Sequence, residues 1–271
     1  MDPLCFDSDG VPDDVITLDY GAFKSLICSM FRILLLTLLA SLTDLSSTAE
    51  EKLKITHLTD SFFVYTTYKD LGGTLFPSNS MYLVTEAGIV MFDTPWDSTQ
   101  LQPLLDTIRQ RHHKPIRLVI STHYHDDRTE GVSLLQQQGI STMATFRTID
   151  LARKEGNDIP AIGYNADTTI TVGGYRFELH YPGRGHTEDN IVAWFPDQKL
   201  LYGGCFIKST ESKNLGNLAD ADPQAWLESV KRLQQKYPEP SFVVPGHYGW
   251  KDRNSLSHTR KLLEEYLDAE K

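Results

Sequence analysis

Ile116-Arg117-Leu118-Val119-Ile120-Ser121-Thr122, followed at once by His123-Tyr124-His125-Asp126-Asp127, joins a β-branched apolar run to a turn rich in imidazole and carboxylate. The first seven residues read as a buried strand. His123, His125 and Asp127 stand two apart just beyond its end, so a rigid support carries three side chains that a turn can bring together. Two imidazoles and a carboxylate are donors that a borderline cation such as Zn²⁺ takes.

Around this strand the chain alternates short strands with helices. Strands are expected over residues 53–58, 62–67, 80–85 and 89–93, with Gly72-Gly73 as a hairpin tip between the second and third. A helix follows, with Asp97 or Ser98 as its N-cap, Leu101, Leu104, Leu105 and Ile108 on one stripe, and Pro103 in its first turns. Another is expected through Leu134 and Leu135. The second half repeats the logic, with strands over 168–172, 175–181, 190–195 and 199–202. Asp222-Pro223 then opens a helix by the N-cap and first-position rule, with Trp226, Val230, Leu233 and Tyr237 on one face. A strand over 241–244 and a helix over 254–268 complete the body. Two strand-rich halves, each with helices, imply an α/β domain of two packed sheets with helices outside, spanning residues 50–271.

Residues 30–49 read as an export signal. Arg32 precedes the short apolar core from Ile33 to Ala40, and Ser47 and Ala49 are the small residues of a cleavage site. That core is too short for a stable membrane span. Residues 1–29 are acidic and form an extension ahead of the signal. The formal net charge is −10, and half of it belongs to residues 1–49, where seven Asp face only Lys24 and Arg32. The remaining body is mildly acidic, which excludes the basic face that nucleic acid requires. Of the three cysteines only Cys205 lies in the body, so no disulfide forms within it. No heptad or other assembly signal is present, and a monomer is expected.

Three further places set a ligand-type side chain beside glycine at an expected strand end: Gly185-His186-Thr187, Gly203-Gly204-Cys205 and Pro245-Gly246-His247. One such coincidence means little; three in order after His-x-His-x-Asp point to a metal centre. The chemistry divides the six donors. His123, His125 and His186 make a neutral three-imidazole site with an open position for water. Asp127, Cys205 and His247 make an anionic site able to neutralise a second cation. His57, His112, His113, His180 and His258 lack this context and are read as surface or structural. A nucleophilic role for Cys205 would leave the three histidines without a purpose.

These motifs, in this order, resemble the metallo-β-lactamase superfamily, and within it the class B β-lactamases of subclass B1. The resemblance runs from about residue 53 to about residue 267. Arg128 directly after Asp127, the cysteine at 205 and an intact His123 are similar to that subclass rather than to hydroxyacylglutathione hydrolases or the other lactamase subclasses. It implies an αβ/βα four-layer sandwich, two mixed sheets face to face with helices outside, holding two Zn²⁺ per chain at one edge. It further implies zinc-dependent hydrolysis of the β-lactam amide of penicillins, cephalosporins and carbapenems, hence antibiotic resistance, in the periplasm. Zinc-activated hydroxide attacks the carbonyl in such a reaction, and the second zinc stabilises the leaving nitrogen. By the same resemblance Asp127 orients the hydroxide, Asn217 helps the oxyanion, Lys208 and Asn217 bind substrate, Trp96 floors the site, and the 72–73 hairpin covers it. Arg184 and Tyr248 fall where family members vary and carry no assigned function. The alternatives are another hydrolase of this fold, acting on a thioester or lactone, and an exported zinc binder without turnover.

Overall fold

The computed structural model describes residues 53–271. The expected signal over 30–49 and its upstream extension lie outside the described residues. Seven strands form the first sheet in the order β1 to β7: β1 (Leu53–Thr59), β2 (Phe62–Asp70), β3 (Leu75–Thr85), β4 (Gly88–Phe92), β5 (Ile116–Ile120), β6 (Ser141–Thr145) and β7 (Ile162–Tyr164). Pairing is antiparallel through β4 and parallel from β4 to β7. The second sheet runs β12 (Phe242–Pro245), β11 (Leu200–Gly204), β10 (Val192–Phe195), β9 (Tyr175–His180), β8 (Thr168–Val172), with only β11 and β12 parallel. Both sheets are mixed, as expected.

The apolar residues between the sheets explain why they stack. Phe62, Met81, Val90, Phe92 and Ile120 from the first sheet meet Phe177, Leu179, Phe195, Leu200 and Tyr202 from the second, all buried. Removing one such aromatic ring costs about 3–5 kcal/mol. The outer face of the first sheet packs Tyr82, Met91 and Val119 against Leu101, Leu104 and Ile108 of helix α1 (Leu101–His112). The outer face of the second packs Val192, Leu201 and Val243 against α5 (Pro223–Lys236) and α6 (Ser255–Ala269) through Trp226, Val230 and Leu263. Helix, sheet, sheet, helix is the expected four-layer sandwich. Strands β10 and β11 are buried along their whole length, which is why they read as apolar runs rather than alternations.

The expected helix through Leu134 and Leu135 is α3 (Val132–Gln137), and a short α2 (Asp126–Thr129) precedes it out of the His-rich turn. Gly131 separates them at φ 81°, and a Cβ there would collide with Leu101. Strands β2 and β3 outrun residues 67 and 80, because Tyr68, Lys69 and Asp70 pair with Pro77, Phe76 and Leu75 in a hairpin closed over Gly72-Gly73. Finally β6, β7 and α4 (Phe146–Glu155) lie where no element was expected.

Candidate metal centre

Every candidate donor leaves the carboxyl end of a strand or the loop after it. His123 and His125 follow β5, Asp127 sits in the first turn of α2, His186 lies between β9 and β10, Cys205 directly follows β11, and His247 follows β12. Strand ends from both sheets meet here because backbone bonds stitch the sheets together. Ile191 N–H donates to Thr122 O at 2.9 Å, and Asn79 N–H to Gly246 O at 2.8 Å. The Asn79 amide also donates to Pro245 O at 3.1 Å and to Tyr248 O at 2.8 Å, fixing the loop that carries His247.

The three imidazoles of His123, His125 and His186 cluster with ring centroids 4.8–5.1 Å apart. Beside them, Cys205 Sγ lies 3.2 Å from Asp127 Oδ2 and 3.3 Å from His247 Nε2, while Asp127 Oδ2 and His247 Nε2 are 3.2 Å apart. His123 Nε2 lies 3.7 Å from Asp127 Oδ1, so the six donors make one continuous cluster.

Electrostatics prepare these groups for a cation. Burial, with His125 alongside, holds the His123 imidazole well below its usual range, and burial with Lys208 nearby does the same to His186. Both are therefore neutral and able to donate a lone pair. Burial alone would raise the Asp127 carboxyl, but Arg128 and His247 outweigh it and hold the group well below the usual carboxylate range. Burial pushes the Cys205 thiol up, against the pull of Arg128. Among the described residues, His123 Nε2 and His186 Nδ1 are buried without a hydrogen-bond partner. A buried polar nitrogen left that way is costly. A Zn²⁺ ion bonded to imidazole, thiolate and carboxylate fits this donor set and gives His123 its missing contact.

The model of the metallo-beta-lactamase superfamily matches residues 73–247. A metallo-beta-lactamase type 2 from Elizabethkingia meningoseptica is 39% identical over 238 residues, covering 87% of this chain and 96% of that protein. The chain belongs to the metallo-β-lactamase superfamily. Metallo-beta-lactamase IND-1 from Chryseobacterium indologenes is 38% identical over 75% of this chain and 85% of its own length. Among solved structures, a metallo-beta-lactamase from Pontibacter korlensis superposes with a TM-score of 0.76 at 39% identity, covering 78% of this chain and 99% of that one.

In this member of the superfamily the cluster opens into a cleft of about 710 Å³. Lys208, Asn217 and Trp96 all line it. The backbone of Lys208 is held to α6 by Thr259, at 2.8 Å from its N–H, and its Nζ stands 5.2 Å over the Trp226 ring. Burial lowers its pKa, opposed by Cys205 and Asp127. Asn217 Oδ1 accepts the Ala219 N–H at 3.0 Å, which leaves its NH₂ group as the donor for a ligand. Trp96 meets Phe76 edge-on and lies tilted against His247, with ring centroids 6.0 and 5.9 Å away.

Three residues that support the centre carried no role from sequence. Arg128, wholly buried, donates through Nε and Nη2 to Cys205 Sγ at 3.2 and 2.9 Å and pairs with Asp127 at 3.0 Å. It also donates to Asn79 O and Gly246 O, so one guanidinium orients two donors and both sheets. Asp93, at the end of β4, accepts from Thr122 N–H and Oγ1 and from Tyr202 Oη, which fixes the residue before His123. Asp220 lies 3.0 Å from His125 Nε2 and leaves Nδ1 for the cluster, whereas Pro77 O holds His247 Nδ1 at 2.8 Å and leaves Nε2 facing Cys205 and Asp127. A carboxylate closing the apolar run of β4 was a usable signal for Asp93; Asp220, 95 residues from its partner, had none. Of the five histidines read as structural, His112 bonds Tyr82 Oη at 2.9 Å and His180 bonds Asp167.

Proposed function

We propose that this protein hydrolyses the β-lactam amide of penicillins, cephalosporins and carbapenems with two zinc ions, and so confers resistance to them. The observation that carries the reading is the adjacency of two donor triads, three imidazoles beside Asp127, Cys205 and His247, at the floor of a cleft lined by Lys208 and Asn217. The names of its relatives support it. His123, His125 and His186 would hold one ion, and Asp127, Cys205 and His247 the other. Zinc bound there supplies a Lewis acid and a water made nucleophilic near neutral pH.

The chain's own residues do the rest. Asp127, kept ionised by Arg128, accepts a hydrogen bond from the attacking water and aims it. The Asn217 NH₂ donates to the carbonyl oxygen as it becomes negative; a single donor of this kind is worth about 2.7–4 kcal/mol in other hydrolases. Lys208 holds the substrate carboxylate as a point charge, a term that acts on KM. Trp96 and Phe76 exclude water on one wall. No covalent link to the chain is required.

The reading includes export through the signal at residues 30–49, with action in the periplasm as a monomer. The test is a steady-state panel of the three β-lactam classes with the zinc-loaded protein, with and without chelator. Turnover of at least one class, abolished by chelator and restored by zinc, is expected. A zinc-loaded protein inert toward all three sinks the reading, and activity that survives chelation sinks the zinc mechanism.

A further inference from the structure

Four carboxylates line the cleft: Asp126, Asp127, Glu211 and Asp220. Three are committed. Asp126 pairs with Lys69 at 3.4 Å, Asp127 with Arg128, and Asp220 with His125. Among the described residues Glu211 has no ion-pair partner. Lys213, two residues on, lines the same cleft without pairing to it.

Glu211 is also held in place. Its Oε2 accepts the Gly249 N–H at 2.9 Å, its own N–H donates to Ser209 Oγ at 3.2 Å, and the Ser209 hydroxyl donates to Gly249 O. A side chain at 249 would collide with the carboxylate. Two of these bonds tie residues 209–211 to Gly249, and the tie holds the Glu211 carboxylate at the Tyr248–Gly249 peptide, on the same cleft as the Tyr248 ring. Tyr248 is exposed, at φ 62°, with its ring edge-on to Phe76 at 5.1 Å; Phe76 in turn meets Trp96. All three rings line the cleft. One cation already uses this wall, since Lys69 Nζ lies 5.2 Å over Trp96.

An unpaired carboxylate is out of place in a cleft meant for an anionic substrate, unless the substrate carries a cation as well. Aromatic faces beside a carboxylate are the surroundings that an organic ammonium group prefers. We infer that Glu211, with Tyr248 and Phe76, forms a subsite for a cationic substituent, so that the protein favours zwitterionic β-lactams bearing a quaternary ammonium or amidinium group. This rests on the β-lactam reading above.

The test compares kcat/KM for matched β-lactams whose outer substituent is cationic or neutral, in the zinc-loaded wild type and in Glu211→Gln. Glutamine keeps the acceptor for Gly249 N–H and removes only the charge. The cationic-to-neutral ratio should exceed one in the wild type and fall about threefold in E211Q, mainly through KM, which is the size of an exposed ion pair. Added salt should shrink the wild-type ratio and leave that of E211Q unchanged. A ratio that is the same in both proteins overturns the subsite while leaving the lactamase reading intact. Absence of turnover on both compounds overturns the two together, and the neutral compound shows which has happened.

Discussion

Cys205 shows how a single residue is tuned by what surrounds it. Its thiol is buried, and burial pushes its pKa up, yet Arg128 directs two N–H groups at the sulfur. The free thiol therefore keeps its proton at neutral pH, and metal uptake by Asp127, Cys205 and His247 must release it. Affinity for that metal should rise about tenfold per pH unit from this group alone. Cys205→Ser should weaken this metal more than the one held by the three histidines and flatten the pH dependence. Zinc titrations with a competing chelator at pH 6 and pH 8 measure both effects. Equal losses at the two positions, or an unchanged slope, would remove the thiolate from the centre. The ligand residues were legible at this scale because imidazole, thiolate and carboxylate beside glycine at strand ends are chemically conspicuous. Arg128 was not, since an arginine in a sequence gives no sign of being wholly buried.

Among the elements, α5 ties packing to the site. Asp222 caps it by accepting the Ala225 N–H at 2.9 Å, Pro223 occupies its first turn, and the Asp222 N–H donates to Gly185 O beside His186. The helix brings Trp226 under His186, with ring centroids 5.8 Å apart, and the indole N–H donates to Phe206 O. Asp222→Ala should cost about 1 kcal/mol in urea denaturation, the usual value of a lost N-cap. A change within error would mean that the cap contributes nothing here. This cap was readable from Asp-Pro ahead of an apolar stripe. Strand β6 was not readable: Ser-Thr-Met-Ala-Thr has no apolar run and becomes a strand by pairing with β5 at Leu118, Val119 and Ile120. Helix α4 did carry signals, with Thr145 bonding the Thr148 N–H and Gly156 ending it at φ 78°, but its buried stripe of Thr148, Ile149 and Ala152 is too weakly apolar to stand out.

At the scale of the whole molecule, the donors divide between the sheets: His123, His125 and Asp127 follow a strand of the first, while Cys205 and His247 follow strands of the second. A metal bound there fastens one sheet to the other, so zinc acts on stability as well as on chemistry. At a thousandfold excess over its dissociation constant, one ion adds about 4 kcal/mol. In a domain of this size that raises Tm by roughly 10 °C. Differential scanning fluorimetry with zinc and with chelator checks this; a Tm indifferent to both would mean that no such fastening exists. The α/β class, the strand-and-helix sequence and the six donors follow from local pattern, because apolar periodicity and ligand chemistry are properties of neighbouring residues. Which strand ends meet is a property of the packed sheets. Only the tertiary structure decided that Asp220 reaches His125, that Arg128 lies between Asp127 and Cys205, and that Glu211 is held by the Gly249 N–H. Those contacts join residues 95, 77 and 38 positions apart, distances over which sequence spacing carries no geometric information.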